Sequence, residues 1–422
     1  MSATLLVPRG NRVHTTTTAC RACAAPGLVD LHAFGDLPLA NALRRVDEAG
    51  PAELRVPMTL ALCPACTLLQ LRETVDPELL FADYRYFSSY AATTLAYADA
   101  LAGQLCARLQ LTARHRVVEV ASNDGYLLRP FQARGVGVLG IEPAANVAAV
   151  AIERGVPTEV AFFGRERAAE LRRRHGPFDL LLANNVLAHV ADLQGFVAGM
   201  RTLLADTGTA VCEFPYVGDL LASSAFDTIY HEHLCYFSLA AVQRLFAAHG
   251  LHVTDVERLD RHGGSLRVFA SPRRPLRPSA TVLAMLHREA SAGLGSPAAY
   301  RSLGEAIVRT TAALQHELRT LRAAGKTVAA YGASAKGSTL MMACGIPGEQ
   351  LAFVADRSPH KQGRLTPGNH VPIVAPEEIL RRQPDVLLLL TWNFAEEILA
   401  QQAEYRRRGG RFLVPVPEVR YL

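Results

Sequence analysis

Residues 230–237, read as Tyr-His-Glu-His-Leu-Cys-Tyr-Phe, place a phenol, two imidazoles and a carboxylate at four consecutive positions. Imidazole ionises nearest to neutral pH, and a carboxylate or phenol beside it can orient it or exchange a proton with it. The run therefore either covers a polar surface turn or transfers protons at a reacting centre. Adjacent side chains of a regular segment cannot all face one pocket, and His231 is the one expected to point elsewhere. The bland alternative is that His231 and His233 cap the following helix, read in "SLAAVQRLFAAHG". Cys235 lies inside the run but is expected to be a core residue.

A second group suits a metal. Cys20-Arg-Ala-Cys23 and Cys63-Pro-Ala-Cys66 are two C-x2-C loops with 39 residues between them. Each loop sets two thiolates on adjacent corners of a tetrahedron, and together they close a four-sulfur zinc site. With all corners thiolate there is no open position for water, so such a zinc would be structural. The competing reading is two unrelated buried or redox pairs, because the gap exceeds that of common zinc ribbons. Cys106, Cys212, Cys235 and Cys344 are scattered and are expected in the core.

The elements that must position these groups alternate. A helical stretch is expected from about Pro77 to Leu111. It is followed by strand "RHRVVEVAS", a turn and helix, strand "VGVLGIEP", helix "AANVAAVAIERG", strand "PTEVAFF" and helix "RERAAELRRRHG". "FDLLLANNVLAHV" and "GTAVCEFPYV" read as two more strands, with helix "LQGFVAGMRTLLA" between them. This alternation specifies a parallel sheet covered by helices, with ligands at the carboxyl ends of the strands. The first strand ends in Glu119-Val-Ala121-Ser-Asn123-Asp124-Gly125 and the second in Glu142-Pro143. An acid after the second strand can accept hydrogen bonds from two ribose hydroxyls, which fits a dinucleotide or an adenosyl ligand. The absent G-x-G-x-x-G disfavours a pyrophosphate.

Beyond a proline-rich linker, "SPRRPLRPSATV" at 271–282, a long helix "RTTAALQHELRTLRAAG" precedes a second, smaller parallel sheet. That sheet is read in "KTVAAYGASAKGSTLMMACG", "QLAFVADRSPHKQG", "PDVLLLLTWNF" and "GRFLVPVPEV". Its turn from Gly332 to Ser338 offers backbone N–H groups, a lysine and hydroxyls to an anion. Asp356 after the next strand resembles a ribose acid but could equally be a surface turn residue. The expected class is α/β, with domains at 1–76, 77–280 and 281–422.

Composition narrows the field little further. The net charge of +5 comes without long runs, and only three of 44 basic residues are lysines, so no nucleic-acid surface is indicated. No stretch of 18 apolar residues occurs and the first residues lack a signal-peptide pattern, so a cytoplasmic protein without a membrane span or disulfides is expected.

Taken together, "EVASNDGYLL", "GIEPAANVA", "ANNVLAHV", "YHEHLCYFS", "HGGSLRVF" and "YGASAKGSTLM" resemble the three-domain S-adenosylmethionine-dependent C-methyltransferases that act on nucleotide-linked deoxysugars in antibiotic biosynthesis. The paired C-x2-C domain belongs to the same pattern, and the resemblance covers nearly the whole chain. It implies a class I methyltransferase domain between a small zinc domain and a second Rossmann-like domain. It implies that Glu142 holds the ribose of S-adenosylmethionine, that Glu119, Ala121, Asn123, Asp124 and Gly125 cradle the cofactor, and that Asn184 and Asn185 line its other side. The substrate it implies is a dTDP-linked 4-keto-deoxysugar, methylated at carbon 3 or, since it also flanks the ketone, carbon 5. His233 then removes the carbon-bound proton, Tyr230 donates near the keto oxygen, Glu232 orients substrate or histidine, and His189 and Tyr84 face the same pocket. Ser334, Lys336 and Ser338 are the implied phosphate contacts of the carboxyl-terminal domain, and a monomer is expected.

Two rival functions are open to the sequence. One is an oxidoreductase or epimerase using NAD, disfavoured by the missing glycine fingerprint in both sheets. The other is a non-catalytic, zinc-containing nucleotide-binding module, disfavoured because a sensor has no need of a base.

Overall fold

The computed structural model describes residues 13–46, 53–81, 84, 87–261, 263–273 and 278–422. Its central sheet has seven strands in the order His252–Leu259, Ser265–Ser271, Leu204–Pro215, Phe178–Asn184, Arg116–Val120, Gly137–Glu142, Thr158–Val160. Val117, Val118, Leu180, Leu181, Leu182 and Ile141 are fully buried, which explains why these strands read as continuous apolar runs. Chain order reverses on either side of Arg116–Val120, so the crevice for a ligand opens at the end of that strand.

The sheet differs from the expected one at its edge. His252–Leu259 and Ser265–Ser271 extend it by two strands that the sequence reading left out, and Ser265–Ser271 runs antiparallel to both neighbours. Ser265–Ser271 is buried at every position but its last, its polar Ser265 and Arg267 included, so neither face of the strand is exposed.

The helix expected over 77–111 is also interrupted. Helices span Pro77–Phe81 and Ala92–Leu109, with a single 3-10 turn at Ser88–Tyr90. The N–H groups of Ser88 and Ser89 are committed to the side chains of Asn123 (2.8 Å) and Asp124 (3.3 Å), which holds this segment against the strand-one turn instead of in a helix. Likewise, the segment read as one strand from Phe178 stops at Asn184, and Leu187–His189 is a 3-10 turn.

The amino-terminal domain is a four-stranded antiparallel sheet ordered Val29–Pro38, Arg55–Leu62, Leu69–Leu71, Cys235–Tyr236. Its last strand comes from the middle of the chain and is part of the His-Glu-His run. The carboxyl-terminal sheet is ordered Ile373–Val374, Val354–Ala355, Val328–Tyr331, Val386–Leu389, Arg411–Val414, Arg420–Tyr421, and only the final strand is antiparallel. Of the segment read as a linker, residues 274–277 lie outside the described residues; Ala280–Ser291 is a helix, and Ala298–Ala323 starts well before the expected one. At Gly304 that long helix comes so close to the amino-terminal sheet that a Cβ would lie 2.8 Å from the Leu31 carbonyl oxygen. Among the described residues no helix is long and apolar enough to cross a membrane.

Candidate active site

The two cysteine loops are built alike. Ala24 and Thr67 each adopt φ of 58°, and each returns a 2.9 Å N–H bond to the carbonyl of the loop's first cysteine, Cys20 and Cys63. This folds both loops so that the four sulfurs converge within 4.8 Å of one another, with Cys20–Cys66 at 3.5 Å and Cys23–Cys63 at 3.6 Å. A tetrahedral zinc with bonds of about 2.3 Å separates its sulfurs by about 3.8 Å, so the cluster fits the ion. Cys20, Cys63 and Cys66 are buried, as a structural site requires. Of the other four, Cys212, Cys235 and Cys344 are core residues as expected, whereas Cys106 is half-buried.

At the central sheet, the turn after Arg116–Val120 is held by backbone geometry that few side chains accept. Ala121, Asn123 and Gly125 all have positive φ (53°, 50°, 77°), and a Cβ on Gly125 would stand 2.9 Å from Val156. Glu142 receives the N–H groups of Asn123 and Ala144, both at 2.9 Å. A carboxylate has about four acceptor sites, so two remain for ribose hydroxyls. Asp124 is fully buried and paired with Arg154 at 2.9 Å. Glu119 is buried beneath them, and that burial, reinforced by Glu142, Asp124 and Glu213, pushes its carboxyl well above the usual range.

Several buried polar atoms here have no protein partner: Glu119 Oε2, Ser122 Oγ, Asp124 Oδ1, and both amide atoms of Asn184. Buried polar atoms are rarely left this way, so a polar ligand at the turn is the natural completion. These residues therefore fit S-adenosylmethionine. Asn185, beside Asn184, is exposed at φ of 55° and anchors its N–H on Glu213 (2.8 Å).

The His-Glu-His segment leads on from this cleft. His233 directs Nδ1 at the Thr228 carbonyl (2.9 Å) and Nε2 at the Tyr230 hydroxyl (3.0 Å). A carbonyl only accepts, so Nδ1 carries a proton, and in the neutral ring Nε2 then presents its lone pair. Tyr230, raised well above the usual phenol range by burial, keeps its proton and donates to it. His189 packs edge-on at 4.8 Å between ring centroids, and burial lowers its pKa to about 4. It is thus neutral at pH 7 and does not oppose charge on His233. Phe81 packs edge-on to His189 at 5.8 Å, and Tyr84, 5.9 Å from Phe81, accepts a bond from Asn146 through its carbonyl.

Glu232 is 6% exposed, and burial raises its pKa to about 7 despite a 2.6 Å bond from Asn41. His231 points away, as expected: its Nε2 meets the Val56 carbonyl at 3.0 Å in the amino-terminal sheet. The capping alternative fails, because Ser238 caps the helix Leu239–Ala248 by accepting from the Ala241 N–H.

In the carboxyl-terminal turn the implied phosphate contacts are placed differently. Ser334 caps the helix Ala335–Ala343 by accepting from Gly337. Ser338 is completely buried, and its Oγ has no protein partner. Lys336 lies over Trp392 (5.0 Å) and reaches to 3.7 Å from Asp227 of the central domain. Asp356 accepts from the N–H groups of Ala333 and Ser358, each 2.8 Å, and tightens the turn.

Sequence reasoning missed Asn41, Arg154, Thr228 and Asp227. Thr228 acts through a backbone carbonyl, which leaves no mark on residue type. Asn41 lies 191 positions from Glu232 with no motif to link them.

Residues 20–81 match the profile of a zinc binding domain, 94–256 that of a methyltransferase domain, and 260–417 that of a C-methyltransferase C-terminal domain. Over 407 residues, 96% of both chains, the sequence is 40% identical to the C-methyltransferase NovU of Streptomyces niveus. A ubiquinone biosynthesis O-methyltransferase of Rhodopseudomonas palustris (strain BisA53) is 29% identical over 96 residues, 23% of this chain and 38% of that one. Among solved structures, magnesium protoporphyrin IX methyltransferase (ChlM) from Synechocystis PCC 6803 aligns at 14% identity with a TM-score of 0.32, over 42% of this chain and 78% of that one, too distant a likeness to add weight. Together with the thiolate cluster and the cofactor turn, the full-length similarity shows that the chain belongs to the C-methyltransferase family, as an S-adenosylmethionine-dependent enzyme with a zinc-binding amino-terminal domain.

Proposed function

We propose that the enzyme methylates the carbon next to the ketone of a dTDP-linked 4-keto-deoxysugar, at carbon 3, in the cytoplasm and as a monomer. The observation that carries this reading is the Tyr230–His233 pair: a lone pair on Nε2 faces a phenol that keeps its proton, a base and an oxygen-directed donor side by side. Methyl transfer to oxygen or nitrogen needs no carbon deprotonation, whereas transfer to this carbon does.

Bound S-adenosylmethionine supplies an electrophilic methyl group on a sulfonium. Glu142 holds the ribose, the turn Glu119–Gly125 takes the methionine end, and Asn184 and Asn185 close the other side. His233 Nε2 takes the proton from the sugar carbon. A carbon acid of this kind lies on the order of ten pKa units above an imidazolium, roughly 14 kcal/mol, so base strength alone is insufficient. Tyr230 turns its O–H from Nε2 to the keto oxygen and stabilises the enolate, a contribution typically worth about 10²–10³ in rate. Glu232, sharing a proton near pH 7, orients the sugar, and neutral His189 with Tyr84 forms the wall that excludes water. The enolate carbon then needs only alignment with the methyl group, and no covalent enzyme intermediate is involved. Ser334 and Lys336 stand near the mouth of the carboxyl-terminal turn to assist with the diphosphate.

The test is incubation with S-adenosylmethionine and a panel of dTDP-4-keto-deoxysugars, followed by mass spectrometry. A gain of one methyl group, absent in His233→Ala and located at carbon 3 by fragmentation, supports the reading. Methylation at carbon 5 or on a heteroatom overturns its regiochemistry or its carbon-acid step, respectively.

A further inference from the structure

The carbonyl that fixes the His233 tautomer belongs to a 3-10 turn, Phe226–Thr228, and that turn is gripped by the carboxyl-terminal domain. Asp227, next to Thr228, is 0% exposed. Its Oδ2 accepts the Trp392 indole N–H at 2.7 Å, and Lys336 Nζ stands 3.7 Å away, 5.0 Å from the centroid of the same indole. Oδ1 has no protein partner. Burial raises the pKa of Asp227, while Lys336 and the Trp392 N–H pull the other way. A buried carboxylate held by one indole and one ammonium is an expensive way to join two domains unless its position matters.

The position does matter geometrically. Thr228 O receives His233 Nδ1–H at 2.9 Å and the Tyr236 hydroxyl at 3.4 Å. A shift of the turn would release Nδ1 and let the ring exchange tautomers, moving the proton onto Nε2 and removing the lone pair from the face that meets Tyr230.

We propose that Asp227, Trp392 and Lys336 form a positioning triad through which the carboxyl-terminal domain sets the tautomer and aim of the His233 ring. The domain would then be part of the catalytic apparatus as well as of substrate binding, and Lys336 would act from the enzyme side of the cleft. The inference rests on His233 being the base, but its first test does not need turnover.

The experiment compares full-length wild type with Trp392→Phe, which keeps the ring and removes the N–H, and Lys336→Met, which removes the charge. The ¹⁵N resonances of His233, identified by their loss in His233→Ala, report the tautomer. Wild type should show a protonated Nδ1 and a bare Nε2. Both variants should show the averaged signals of mixed tautomers, with unchanged S-adenosylmethionine affinity. Where the substrate is in hand, kcat of Trp392→Phe should fall on the order of tenfold at constant KM, a fraction of the roughly hundredfold that an ångström of misplacement costs. An unchanged Nδ1–H signature in both variants overturns the proposal, as does a loss of rate that tracks lost cofactor binding. Failure of methyl transfer in wild type with the tautomer shift intact refutes the proposed substrate and leaves the triad standing.

Discussion

Glu232 offers a stability test with a worked magnitude. Its ordinary pKa of 4.5 is raised to about 7 in the folded protein, chiefly by burial, while the Asn41 amide pulls the other way. A carboxyl whose folded pKa is raised binds protons more tightly in the folded state. Its ionisation therefore costs stability as pH climbs from the unfolded value through the folded one. The cost is about 3 kcal/mol at pH 8 and under about 1 kcal/mol at pH 5. Glu232→Gln keeps an oxygen for Asn41 and cannot ionise. The variant should be more stable than wild type at pH 8, by roughly 3–4 °C in Tm for a chain of this size, and nearly equal to it at pH 5. The assay is parallel thermal and urea unfolding at both pH values, where terms shared by the two proteins cancel. An offset that is the same at pH 5 and pH 8, or a variant less stable at pH 8, would refute the reasoning and return Glu232 to an ordinary carboxylate.

Other expected outcomes follow from the same geometry. Tyr230→Phe should lower kcat by about 10²–10³ with little change in S-adenosylmethionine affinity, read by steady-state kinetics and calorimetry; an unaltered kcat would remove Tyr230 from the enolate step. Glu142→Gln should weaken S-adenosylmethionine binding at least about tenfold, the scale of one charge-assisted hydrogen bond, in isothermal titration. Because burial lowers the folded pKa of His189 from 6.5 to about 4, the folded state resists its protonation and stability is lost as pH falls from 6.5 towards 4. His189→Leu should flatten the acid limb of a Tm–pH curve across that window. Cys20→Ser, or chelation of the metal, should abolish activity although no cysteine faces the site, since Leu69–Leu71, three residues past Cys66, pairs with Cys235–Tyr236. Metal analysis should find one zinc per chain in the active protein.

That last link separates what residue types declare from what folding decides. The two C-x2-C loops declare a metal site because local turns alone bring each pair of thiolates together, and the structure needs only to bring the two loops face to face. The central strands declare themselves for a similar reason: burial on both faces demands unbroken apolar runs such as Val117–Val118 and Leu180–Leu182. Glu142 and the turn from Glu119 are legible because their place at strand ends follows from the alternation of strand and helix. Where a residue's role depends on a distant partner, sequence falls silent. The break in the helix expected over 77–111 comes from Asn123 and Asp124 capturing backbone N–H groups of Ser88 and Ser89, and nothing in the segment itself announces it.

The His-Glu-His run shows the division most clearly. Its composition established that an imidazole, a phenol and a carboxylate stand close together, because they are neighbours in the chain. Which imidazole turns to Tyr230 was decided by tertiary packing: Cys235–Tyr236 pairs with the amino-terminal sheet, His231 meets Val56 there, and the Thr228 carbonyl receives Nδ1 of the other histidine. Asn41 at Glu232 and Trp392 at Asp227 are likewise products of three domains closing on one segment. Chemical identity is carried by the residue, but pKa, tautomer and aim are set by dielectric and by hydrogen-bond partners, and those exist only once remote parts of the chain have met.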